Sequence, residues 1–93
     1  MSMRLEEAFA TFNAENPHVY ERLVTLAKRY QRAGRKVGIA HLFEIVRWLE
    51  FVETRRNDEF KLNNNLRAYY ARYIMRTEPT LEGFFDVRSL RSV

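Results

Sequence analysis

The run Val52-Glu53-Thr54-Arg55-Arg56-Asn57-Asp58-Glu59-Phe60-Lys61-Leu62-Asn63 decides how the chain is read. Val52 and Thr54, then Phe60 and Leu62, alternate with Glu53, Arg55, Glu59 and Lys61, the period of a half-buried strand. Arg56-Asn57-Asp58 between the two halves has turn chemistry. The pattern predicts a short β-hairpin over residues 52–63, with a loop continuing a frayed helix as the alternative.

Working back from that run, residues 38–50 carry Ile39, Leu42, Phe43, Ile45, Val46 and Leu49, more apolar side chains than one helical stripe needs. This predicts a central helix with Ala40, His41, Glu44, Arg47 and Trp48 left facing outward. Before it, Gly34-Arg35-Lys36-Val37-Gly38 reads as a turn, with Gly34 at a left-handed helix cap. A helix over 17–33 precedes the turn. Its start is marked by Asn16-Pro17, and its apolar stripe is Val19, Tyr20, Leu23, Leu26, Ala27 and Tyr30. Leu5, Ala8, Phe9 and Phe12 predict another helix over 3–14.

Downstream, one of Asn63-Asn64-Asn65 is expected to cap a helix over 66–76, which Glu78-Pro79 stops. Leu66, Tyr69, Tyr70, Tyr73 and Ile74 point that helix toward the core, and Arg67, Arg72 and Arg76 point elsewhere. The tail around Gly83-Phe84-Phe85 is expected to fold back and bury its phenylalanines. Helix, turn, helix and hairpin in that order spell a mainly α domain with one short β-hairpin, a winged helix-turn-helix. The reading gives a single domain over 1–93, the winged helix at about 17–76 and a tail from about 86.

Composition narrows the function classes. A chain of 93 residues without cysteine has no disulfide, no thiolate nucleophile and no cysteine-based zinc site. The start, Met1-Ser2-Met3-Arg4-Leu5-Glu6-Glu7, is expected to be neither a signal peptide nor a membrane span. The net charge is +4, and thirteen of the sixteen basic residues are arginine, whose planar fork suits phosphate or guanine. Codon usage in a GC-rich genome accounts for the arginines equally well.

The charge is also placed. Between Glu21 and Glu44 there is no acidic residue but six basic ones, Arg22, Lys28, Arg29, Arg32, Arg35 and Lys36. In a helix-turn-helix the second helix enters the major groove and the preceding turn lies on the backbone. That geometry predicts phosphate contacts from Arg29, Arg32, Arg35 and Lys36, and from Arg55, Arg56 and Lys61 on the hairpin. His41 and Arg47 would lie nearer the bases of double-stranded DNA. Against this stand Glu44, Glu50 and Glu53, which would repel phosphate from the same helix. Basic residues in a last helical turn also offset the helix dipole without binding anything.

The sequence Phe60-Lys61-Leu62-Asn63-Asn64-Asn65, followed by Tyr69-Tyr70-Ala71-Arg72, Pro79 and Gly83-Phe84-Phe85, resembles a group of small, uncharacterised proteins of tailed bacteriophages and prophages. His18-Val19-Tyr20, Ala33-Gly34-Arg35-Lys36 and Arg47-Trp48 are similar too, so the resemblance covers most of 17–86. It implies a bacterial host cytoplasm and supplies no site residues.

The remaining residues are weighed singly. His18 and His41 lack a second histidine at metal-ligand spacing, so no metal is expected. Tyr69, Tyr70 and Tyr73 could stack on bases, but at this spacing core packing with hydroxyls at the rim is the plainer reading. No catalytic set, glycine-rich phosphate loop or cofactor motif is present, and neither an enzyme nor a cofactor is expected. Besides a structural accessory of the virion, two functions follow as expectations. One is a DNA-binding protein, regulatory in character. The other is a module that engages a host or phage protein, which exposed aromatic surface at Trp48 or at the C-terminal phenylalanines would favour.

Overall fold

A computed structural model describes residues 2–54 and 62–86. They form four helices, α1 (Ser2–Glu15), α2 (Pro17–Arg32), α3 (Ile39–Thr54) and α4 (Arg67–Thr77), with 3-10 turns at Asn64–Leu66 and Pro79–Leu81. Local chemistry explains most boundaries. Pro17 opens α2 where its missing N–H costs nothing. Asn16 does not cap α2: its side-chain amide turns back and donates to the Phe12 carbonyl at 3.1 Å, closing α1. At the other end of α2, Gly34 takes φ +73°, so that the Arg35 N–H reaches the Tyr30 carbonyl and the Gly34 N–H reaches that of Gln31. This double bond pattern is a Schellman cap. Asn63 accepts from the Asn65 N–H at 2.8 Å and starts the 3-10 turn that feeds α4. Pro79 lies one residue beyond the end of α4, after Glu78, and opens the last turn.

α2 and α3 run antiparallel, since the short turn joins the end of one to the start of the other and His18 meets Glu50 at the far end. Val19, Leu23 and Ala27 of α2 and Leu42, Phe43 and Val46 of α3 are fully buried, as are Ala68, Tyr70, Ala71 and Ile74 of α4. Tyr70 is the hub, edge-on to Phe9 at 4.8 Å and to Phe43 at 5.9 Å. Among the described side chains of α1, half-buried Phe9 and Phe12 pack against this core. The tail folds back as expected, burying Leu81, Phe84 and Phe85.

The β-hairpin and the winged helix-turn-helix are overturned. α3 does not stop at residue 50 but continues through Thr54, so Val52, Glu53 and Thr54, the expected first strand, are the last helical turn. The described residues contain no strand, and Leu62 and Asn63 lead into the 3-10 turn instead. The physical reason is that Phe51-Val52 extends the helical spacing set by Trp48, at i, i+3 and i+4, while a strand alternation of two residues is too short to outweigh it. The tip of the expected hairpin, with Arg55, Arg56 and Lys61, lies outside the described residues.

Candidate functional site

The antiparallel α2–α3 pair has two chemically distinct ends. At the α2 C-terminus and the following turn, Arg29, Arg32, Arg35 and Lys36 are all exposed. Arg29, Arg32 and Arg35 make no ion pair among the described residues, and the Lys36 ammonium donates to the Gly83 carbonyl at 3.5 Å. The tail tempers this pole, because Asp86 lines the same surface depression as Lys36 and Val37. The other two members of the basic run are spent within the fold. Lys28 pairs with Glu78 at 2.8 Å, and Arg22 pairs with Glu53.

At the opposite end α3 is pinned to α2 by charge. Glu50 is 7 % exposed and accepts from His18 Nε2 at 3.0 Å, with Arg22 Nη1 at 3.9 Å. Glu50 is therefore a structural carboxylate, and the pairing of His18 with it was not legible locally, the two being thirty-two positions apart.

The two residues expected nearest bases are both engaged internally. Arg47 pairs with Glu44 and donates to the Leu62 carbonyl and the Asn64 side chain, tying α3 to the segment that starts α4. Its guanidinium also lies 5.9 Å from the centre of the Phe43 ring. His41 is exposed, with Nε2 3.2 Å from the Tyr30 hydroxyl.

The outer face of α3 carries a feature that the sequence only half disclosed. Trp48 is 63 % exposed, Phe51 55 % and Val52 46 %, on the side opposite Ile39, Leu42, Phe43 and Val46. Their i, i+3, i+4 spacing makes them neighbours on one face. A face that enters the major groove needs donors and acceptors at these positions. This one presents an indole, a phenyl and an isopropyl group. The signal that could have found it was the spacing Trp48-Phe51-Val52 itself, which the strand reading split between two elements.

A second face lies between α1 and α4, where a recess of about 400 Å3 is lined by Glu6, Phe9, Tyr69, Arg72, Tyr73 and Arg76. Of the three tyrosines, Tyr70 is core, whereas Tyr69 and Tyr73 are half-buried at the rim.

Compared with protein families, with curated proteins and with solved structures, the chain matches none. No helix among the described residues is long and apolar enough to cross a membrane.

Proposed function

We propose that the protein is a non-enzymatic interaction module that docks on a partner protein through the outer face of α3. The observation that carries this reading is the exposure of Trp48, Phe51 and Val52 together on one helical face. Aromatic side chains in a contiguous exposed patch are the anchors of interfaces, and an amphipathic helix laid into an apolar groove is a recurring way to use them. Three side chains are the centre of such an interface, not its full area of about 800 Å2 per partner. The paired charges at the edge, Glu44 with Arg47 and Glu53 with Arg22, suit a polar rim. The buried Phe84 and Phe85 take no part. The resemblance to phage proteins makes a host or phage protein in a bacterial cytoplasm the expected partner.

Trp48 is the sole tryptophan of the chain and so reports on its own contact. Proteins captured from bacterial lysate by the wild type and by a Trp48→Asp, Phe51→Ser variant are compared, and the protein lost with the variant is purified. Adding it back should shift the Trp48 emission to shorter wavelength and shield it from solute quenching. An identical capture profile for both proteins sinks the reading. A concentration-dependent shift without any partner would instead reveal self-association through the same face.

Arg29, Arg32 and Arg35, exposed and without ion pairs among the described residues, favour a second reading in which the basic pole holds duplex DNA by its phosphates. Anisotropy with labelled duplex across salt tests it. Charge reversal at Arg35 and Lys36 should abolish binding while leaving thermal unfolding nearly unchanged, and retained binding rejects the reading.

A further inference from the structure

We infer that the recess between α1 and α4 binds single-stranded nucleic acid, with Arg72 and Arg76 on its phosphates and bases. Tyr69, Arg72, Tyr73 and Arg76 stand at i, i+3, i+4 and i+7 on α4, so rings and guanidiniums alternate along one stripe. Each guanidinium lies over one of the rings. The Arg72 guanidinium lies 5.2 Å from the Tyr69 ring centre and that of Arg76 5.5 Å from the Tyr73 ring centre. Phe9 of α1 closes the back of the stripe, stacked on Tyr69 at 5.8 Å and edge-on to Tyr73 at 5.7 Å.

Three properties point to nucleotides. First, Arg72 and Arg76 are exposed and make no ion pair among the described residues, so both forks are available to an anion. Second, a guanidinium held over a tyrosine ring is a planar cation on which an unpaired base stacks, while its edge donates to phosphate. Third, Glu6 lies in the recess with no ion pair of its own among the described residues. A carboxylate there suits an exocyclic amino group of a base, a group that a simple anion lacks. The two Arg–Tyr pairs are one α-helical step of four residues apart, about 6 Å along the axis. That is nearly twice the rise of about 3.4 Å per nucleotide in a duplex strand, so a strand lying along α4 is stretched and its bases separated. The recess shares no residue with the α3 face or the basic pole, and the inference stands whether or not those readings hold.

The test is anisotropy of a labelled oligonucleotide of mixed sequence, single-stranded and as its duplex, titrated with the full chain across salt. Three proteins are compared: wild type, Arg72→Gln with Arg76→Gln, and, with the same change of charge, Arg35→Gln with Lys36→Gln. All four substituted positions are exposed, and circular dichroism confirms that each variant is folded. The expected result is tighter binding of the single strand than of the duplex. The Arg72 and Arg76 substitutions should weaken it by about an order of magnitude and lower the log–log salt slope by about 1.4, two contacts at about 0.7 each. The Arg35 and Lys36 substitutions should leave the preference for single strand over duplex in place. No binding by the wild type at low salt overturns the inference. So does unchanged binding by the Arg72 and Arg76 variant, and so does a loss as large in the Arg35 and Lys36 variant, which would mean diffuse charge attraction. Equal affinity for single strand and duplex also overturns it.

Discussion

Replacing Tyr70 by phenylalanine should make the protein more stable, and the gain should grow in alkali. Tyr70 is fully buried among Phe9, Phe12 and Phe43, and its hydroxyl has no hydrogen-bond partner among the described residues. A buried hydroxyl left without a partner costs about 1–3 kcal/mol, while the ring contacts survive its removal. Tyr70→Phe is therefore expected to raise the unfolding free energy by about 1–2 kcal/mol at neutral pH. In a domain of this size each kcal/mol moves Tm by about 4–8 °C. Burial also pushes the Tyr70 phenol well above the ordinary tyrosine pKa of about 10. Below about pH 10 the phenol is protonated in both states and pH has no leverage through it. Above that, the unfolded chain releases the proton and the native state keeps it. Stability through this group then falls by about 1.36 kcal/mol per pH unit. The phenylalanine variant lacks that loss, so its advantage should widen by the same amount per unit, the other tyrosines being common to both proteins. Urea unfolding of the two proteins at about pH 7 and in steps above about pH 10 measures both effects. A variant less stable than wild type at neutral pH would show that the hydroxyl is satisfied. A constant gap into alkali would refute the linkage.

Glu50→Gln keeps the shape of the side chain but removes the charge facing His18 and Arg22, and should cost about 1–3 kcal/mol in urea unfolding. Glu44→Gln, whose partner Arg47 keeps its other acceptors and whose own side chain is 71 % exposed, should cost under about 1 kcal/mol. The two open glycines of the α2–α3 turn should diverge. Gly34→Ala, at φ +73°, is expected to destabilise by about 1 kcal/mol, whereas Gly38→Ala, which meets nothing within 4 Å and needs no left-handed backbone, should be neutral or stabilising by up to about 1 kcal/mol. Thermal unfolding of both decides the pair.

What the sequence disclosed were features fixed by neighbours a few positions away. Pro17, Gly34 and Pro79 act on their own backbone, so the starts and stops they announce are where the helices begin and end. The apolar stripes of α2 and α4 are equally local, although the α4 stripe put Tyr69, Tyr70 and Tyr73 together in the core, where only Tyr70 of the three is fully buried. The hairpin failed because Val52 and Thr54 fit two periods at once over so short a run, and the helical spacing of Phe51 and Val52 from Trp48 prevailed. The internal partners of Arg47 and Glu50 stayed hidden for a different reason. Their partners, Leu62 and Asn64 in one case and His18 and Arg22 in the other, come from distant sequence, and no spacing rule reaches them. The α1–α4 recess was hidden likewise: Arg72 and Arg76 were read only as solvent-facing, because Glu6 and Phe9 reach them from across the fold.

The modest hold of α1 on the rest has a dynamic consequence. None of its described side chains is fully buried, and its grip on α4 runs through Phe9, on Tyr69, Tyr70 and Tyr73, and Phe12, on Tyr70. Helices with so little buried surface are the first to detach in native-state fluctuations, well before the molecule unfolds as a whole. α1 amides should accordingly exchange with solvent faster than those of α2 and α3. Every undocking event dismantles one wall of the recess and uncovers the Tyr70 ring. A strand bridging Glu6 on one side and Arg76 on the other would fasten the loosest helix to the most central one, and slowed exchange along α1 would record its arrival.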